Sequence, residues 1–192
     1  MRLVLISDTH NLHKGLQLPE GDMLIHSGDL SGKGYLHEVT AFMEWFGNQP
    51  HQHKVLIAGN HDFMAEKDPT LFASLIPKGV TYLNDSGTEI EGFKIWGSPI
   101  QPWFYDWAFN RQRGEEIAKH WALIPDDTDI LVTHGPPFGI LDKVLRGPHV
   151  GCEELIKKIE QVQPRLHVFG HIHEPHGEAQ QGKTKFVNAS VL

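Results

Sequence analysis

The stretch Val55-Leu56-Ile57-Ala58-Gly59-Asn60-His61-Asp62 decides how this chain folds. An unbroken apolar run ends on a glycine, and three polar side chains able to ligate or to move protons follow. Such a short run of Val, Ile and Leu reads as a strand buried on both faces, most simply in a parallel sheet covered by helices. The pattern recurs along the chain. Residues 3–7 precede Asp8-Thr9-His10, residues 23–27 precede Gly28-Asp29, residues 130–132 precede Thr133-His134-Gly135-Pro136, and residues 166–169 precede Gly170-His171-Ile172-His173. Five of the 14 histidines fall in these clusters. Open α/β sheets gather their sites at strand ends, and imidazole with carboxylate in this number points to a two-metal hydrolytic centre.

Outward from these runs, Leu36, Val39, Phe42, Met43 and Phe46 recur at helical spacing and predict a helix over 35–47. Residues 69–75 predict a short helix with Pro69 in its first turn. Residues 80–83 and 90–96 read as strands joined by the turn-rich Asn84-Asp85-Ser86-Gly87. Helices follow over 113–121 and over 152–162, the second stopped by Pro164, and 185–188 is a last strand. The segment 97–113, dense in proline and aromatics, is too interrupted for a regular buried element. No composition break divides the chain, so 1–192 reads as a single α/β domain.

Bulk properties narrow the function. With 192 residues, 40% hydrophobic and 21% charged, the chain can build one substantial core. A net charge of -7 without a Lys/Arg cluster argues against a long nucleic acid, although bound cations would reverse that sign locally for a small anionic substrate. One cysteine, Cys152, excludes an internal disulfide and fits a reducing compartment. The first apolar run breaks at once into Asp8 and His10 instead of forming a signal peptide, and nothing approaches membrane-spanning length. A cytoplasmic protein with no membrane partner is expected.

Taken singly, each cluster has an ordinary explanation. Asp29 suits a helix N-cap, Asn60 a left-handed turn, His134 a rigid loop, and His171 with His173 a solvated pair. Taken together, those explanations become poor. Asp8 and His10 can converge, Gly28 lets the backbone pass close to a crowded centre, and the Asp29 carboxylate suits a bridge between two cations. Nitrogen and oxygen donors without thiolate suit Mn, Fe, Zn or similar ions.

The ordered set Asp8-x-His10, Gly28-Asp29, Gly59-Asn60-His61-Asp62, Thr133-His134-Gly135-Pro136 and Gly170-His171-x-His173 resembles the calcineurin-like metallophosphoesterase superfamily over nearly the whole chain. The stretches 96–99, 134–137, 150–155 and 166–174 look closer still to the metallophosphoesterase-domain-containing branch related to brain protein 239, described as class III cyclic-nucleotide phosphodiesterases. The resemblance implies a four-layer fold, two mixed β-sheets flanked by helices. It implies two metals, Mn in vitro and Fe, Zn or a mixed pair as alternatives. Asp8, His10, Asp29 and His173 would surround one, and Asp29, Asn60, His134 and His171 the other. Some members of the related branch lack one of the last two histidines; here both are present, which implies catalysis.

The expected chemistry is attack by a metal-bridging hydroxide on a phosphoester, with no protein nucleophile. His61 would donate a proton to the leaving oxygen, and Asp62 would orient its ring. His26 and His167 alternate within strands and suit the core; Glu174 could orient His173; His13, His37, His51, His53, His120 and His176 read as solvated. The best substrate wall is the aromatic segment, where a nucleobase could stack on Trp103, Phe104 or Trp107, with Asn110, Arg111 and Arg113 meeting phosphate or ribose. Packing or a homodimer contact explains that segment equally well. Arg146 and His149 sit ahead of a helix whose start could help hold an anion. The leading function is a phosphodiesterase for small or cyclic nucleotide-like diesters. A phosphomonoesterase or phosphoprotein phosphatase, a nuclease, and a weakly active nucleotide-binding protein are the alternatives.

Overall fold

The computed structural model describes residues 1–145 and 147–192; the anion contact assigned to Arg146 lies outside the described residues. Strands β1 (Leu3–Ile6), β2 (Met23–Ser27), β3 (His53–Ile57) and β4 (Val80–Tyr82) form a four-stranded sheet in that order, parallel throughout. A second, six-stranded sheet is mixed. It contains β5 (Ser86–Ile90), β6 (Phe93–Ser98), β9 (Ile130–Thr133), β10 (Leu166–Phe169), β11 (Gly177–Gln181) and β12 (Thr184–Asn188), in the order β11-β12-β10-β9-β6-β5. Residues 101–102 and 110–111 make a minimal parallel pair, β7 and β8, inside the aromatic segment.

Alternation along the central strands explains the layering. Met23, Ile25, Val55 and Ile57 point from the first sheet into a core shared with Ile95, Ile130 and Val132 of the second. The intervening Leu24, Leu56 and Leu131 turn outward to the helix layers. There α1 (Leu36–Gly47) buries Val39, Phe42, Met43 and Phe46, while α4 (Glu115–Trp121) and α5 (Glu153–Val162) bury Ile117, Trp121, Leu155 and Ile159. Both faces of β2, β3 and β9 are therefore covered, which is why their sequences are continuous apolar runs. Two short helices, α2 (Phe63–Lys67) and α3 (Pro69–Ser74), complete the first half.

Two strands differ from the sequence reading. Asp85, at φ 44°, does turn the chain, but Ser86 and Gly87 already pair with Gly97 and Trp96. The hairpin turn lies instead at Glu91-Gly92, both left-handed, as two-residue hairpin loops require. β11 also escaped the reading. Both are half-exposed edge strands of mostly polar residues, so they lack a buried apolar run.

Candidate metal centre

The parallel strands deliver every polar cluster to one end of the molecule. Asp8 follows β1, Asp29 follows β2, Asn60 follows β3, His134 follows β9 and His171 follows β10. The loops are stitched together by backbone hydrogen bonds: Asp8 N donates to Gly28 O (3.0 Å), His10 N to Asp29 O (3.1 Å) and Gly170 N to His134 O (2.9 Å). Asp8, His10, Asp29 and His171 all adopt left-handed backbone conformations that side chains rarely take. Such strain persists where surrounding structure imposes it, and it collects at functional sites.

Asp29 is the geometric focus. Its Oδ2 lies 3.4 Å from His134 Nε2, 3.5 Å from His10 Nε2 and 4.0 Å from His61 Nε2. His134 Nε2 also stands 2.8 Å from Asn60 Oδ1. On the other flank His173 Nε2 is 3.5 Å from Asp8 Oδ1. Among the described residues, three sets of donors lie close enough to share an ion: Asp8, His10 and His173; His10, Asp29 and His61; Asp29, His134 and His171. The glycines make this crowding feasible. A Cβ on Gly59 would collide with Asp29, one on Gly170 with Asp8, and Gly28, at φ 103°, would press one into Ala58 O at 2.8 Å.

The donor set fits metal ions. Two wholly buried carboxylates, Asp8 and Asp29, face a ring of imidazoles. Burial opposes their ionisation, yet His173 holds Asp8 below its ordinary value, and His134 holds Asp29 far below the usual carboxylate range. Conversely, burial opposes a charged His134, yet Asp29 and then Asp8 push it up to about 9. The site demands positive charge at its centre, and cations held by neutral imidazoles would supply it. Second contacts orient the donors: His134 Nδ1 is 3.0 Å from Ser27 O, and the Asn188 amide donates to Ile172 O between His171 and His173 (2.6 Å).

His61 borders the cluster with its ring 4.4 Å from that of His10. Asp62 does not orient it. The ring is held by Gly32 O, 2.8 Å from Nδ1, because Asp62 turns inward and accepts from Leu30 N, Ser31 N, Ser31 Oγ and Gly59 N. Burial, then the Asp29 charge, pushes Asp62 up to about 7 against the Ser31 Oγ, Gly59 N and Ser31 N donors. Glu174 likewise accepts from Leu145 N instead of bracing His173.

The substrate assignments divide. Trp107 packs against His61 at a 31° tilt (centroids 4.2 Å), while Trp103 and Phe104 line a cavity that His171 also lines. Asn110 is taken up by its own loop, and Arg111 by that loop and the helices beside it. Asn110 bonds Phe104 O, Tyr105 O and Gln101, and Arg111 bonds Asn110 O and His120 and pairs with Glu66. His149 pairs with buried Asp142 at 2.5 Å, a loop-closing contact. Among the other histidines, His26 and His167 are buried as expected. His13 and His51 are buried too, His13 against Phe42 and Trp45 and His51 beside Pro19 O. His120 is half-buried on Asp85. Lys33, which the sequence reading passed over, places Nζ 4.9 Å from the Trp107 ring centre. Its signal was the glycine-flanked Gly32-Lys33-Gly34 just after Asp29.

No helix among the described residues is long and apolar enough to cross a membrane. Metallophosphoesterase domain-containing protein 1 of Homo sapiens is 45% identical over 214 residues, which cover 99% of this chain and 66% of that one. The chain thus spans just under two thirds of that relative. A UPF0046 protein of Caenorhabditis elegans is 37% identical over 203 residues, covering 99% and 69%. Among solved structures, the phosphopantetheinyl hydrolase of Mycobacterium tuberculosis superposes with a TM-score of 0.68 at 15% identity, over 99% of this chain and 89% of that one, a likeness of fold alone. The sequence profile of one family matches residues 1–175 and so takes in every strand-end cluster described above: this chain belongs to the calcineurin-like phosphoesterase family.

Proposed function

We propose that this protein is a two-metal phosphoesterase that prefers small, nucleotide-like phosphodiesters, and that it belongs to the metallophosphoesterase-domain-containing branch of its family. The observation that carries the reading is that the Asp29 carboxylate stands within reach of both flanks of the cluster, 3.5 Å from His10 Nε2 and 3.4 Å from His134 Nε2. In this reading Asp8, His10, Asp29 and His173 hold one ion, and Asp29, Asn60, His134 and His171 hold the other. When bound, such a pair supplies a deprotonated water near neutral pH and neutralises charge on the phosphoryl oxygens.

The chain's own residues supply the rest. Asp29 holds the two donor sets together through one carboxylate. His61, with Nδ1 donating to Gly32 O, has only Nε2 left to face the cluster; in its protonated form it presents that proton to the leaving oxygen. Trp107 covers the ring and limits its exposure to water. Asp62 ties the Asp29 loop to the Asn60 loop through its four donors. A phosphomonoesterase would use the same residues. The diester is favoured because the cluster is flanked on two sides, by Trp107 beside His61 and by the cavity beside His171, which offers room for two substituents. The net charge of -7 weighs against a nuclease.

The test is a metal-reconstituted panel of bis-aryl phosphodiester, aryl phosphomonoester, 2′,3′- and 3′,5′-cyclic nucleotides and single-stranded nucleic acid. Metal-dependent hydrolysis of the small diesters ahead of the monoester is expected. Faster hydrolysis of the monoester or of the polymer would replace the diesterase reading with one of its alternatives.

A further inference from the structure

A cavity of about 310 Å³ opens beside the cluster, walled by Trp103, Phe104, Pro136, Val150, Ile172 and the proposed ligand His171. That volume lies at the small end of the roughly 300–1,000 Å³ typical of small-molecule pockets. Two of its walls are aromatic side chains left half exposed, Trp103 and Phe104 at 51% each, although the same loop buries Ala108 and Phe109. The charged side chain on its wall, Arg113, is already engaged: its guanidinium donates to Val150 O, Gly151 O and Glu153. Among the described residues the walls therefore present flat apolar surface, with no charge left free to grip a second phosphate. His61, the proton donor of the proposed reaction, groups with His10 at Asp29, whereas His171 groups with His134 there, and it lies against Trp107.

From this arrangement we infer that the cavity seats the ester substituent that stays on phosphorus, and that it selects a flat, ring-sized, apolar group there. The leaving substituent lies on the His61 side, where the departing oxygen needs its proton. A diester carrying a ring fills the cavity, whereas a monoester leaves it empty and gains nothing from it. The inference rests on the phosphoesterase reading and adds to it a rule for which diesters are preferred.

The test compares bis(p-nitrophenyl) phosphate with methyl p-nitrophenyl phosphate, which share a leaving group but differ in the retained one. Binding of p-nitrophenylphosphonate to the metal-loaded protein, read by tryptophan quenching, gives a measure independent of turnover. The wild-type protein should prefer the bis-aryl ester in kcat/KM. Val150→Phe fills the cavity from a residue whose backbone is anchored on both sides, by Asp142 O and by Arg113. It should lower the ratio of the two kcat/KM values about tenfold and weaken phosphonate binding. Trp103→Ala, at a half-exposed wall and so tolerant of change, should lower the ratio in the same direction. A wild-type ratio in both variants, with wild-type phosphonate affinity in Val150→Phe, would overturn the cavity's role while leaving the phosphoesterase reading intact. No metal-dependent hydrolysis of either ester by the wild-type protein would instead overturn the phosphoesterase reading and the inference with it.

Discussion

At the scale of single residues, His61 separates binding from chemistry. It borders the cluster without replacing any proposed ligand, and its Nδ1 is fixed by a backbone carbonyl. His61→Ala should leave metal content unchanged and cut turnover by about 10²- to 10⁴-fold, the usual worth of a positioned acid. The loss should shrink for esters with good leaving groups, and undiminished turnover would remove His61 from the mechanism. His167 makes a different prediction. Burial pushes its imidazole down to about 3, and Nε2 is 2.8 Å from Thr133 Oγ1. The folded protein then keeps His167 neutral while the unfolded chain protonates near 6.5, so its contribution to stability is full above pH 6.5 and is lost as pH falls toward 3. NMR of the folded protein should show no His167 titration between pH 8 and 5; an inflection near 6.5 would refute the assignment. The polar residues of the centre were legible because carboxylate, amide and imidazole stand out after apolar runs. The partner of His61 was not, because a backbone carbonyl leaves no mark in a sequence.

At the scale of elements, the start of α1 is secured by one side chain. Glu38 accepts from Tyr35 N (3.0 Å), Lys33 N (2.9 Å) and the Asn11 amide (2.8 Å), tying the helix to the loops that follow β1 and β2. Glu38→Ala should cost about 1 kcal/mol, or about 2–4 °C in Tm by calorimetry for a chain of this size. Although burial acts the other way, the Tyr35 and Lys33 N–H groups hold the carboxyl below its ordinary 4.5, so this contribution is present above about pH 4.5 and fades as pH falls. Because the group is largely exposed, solvent screening keeps that pH effect small. An unchanged Tm at pH 7 would show that the three contacts add nothing. The buried strands and α1 were legible because two-sided burial and helical spacing both leave periodic marks. The edge strands β5 and β11 were not, because one exposed side allows polar sequence to pair as readily as apolar.

At the scale of the whole molecule, two sheets packed face to face bring strand ends from both halves of the chain to one point. Asp29 and His134 are more than a hundred positions apart, yet their side chains approach to 3.4 Å. Only the fold can make one centre of such distant residues, and the convergence at Asp29 is the central claim. Asp29→Asn keeps the shape of the side chain and deletes its charge, so metal analysis of the purified, folded variant beside the activity panel tests that claim most directly. The predicted result is fewer than two metal ions per chain with activity lower by orders of magnitude for every ester. Two bound metals with near-normal hydrolysis would contradict it.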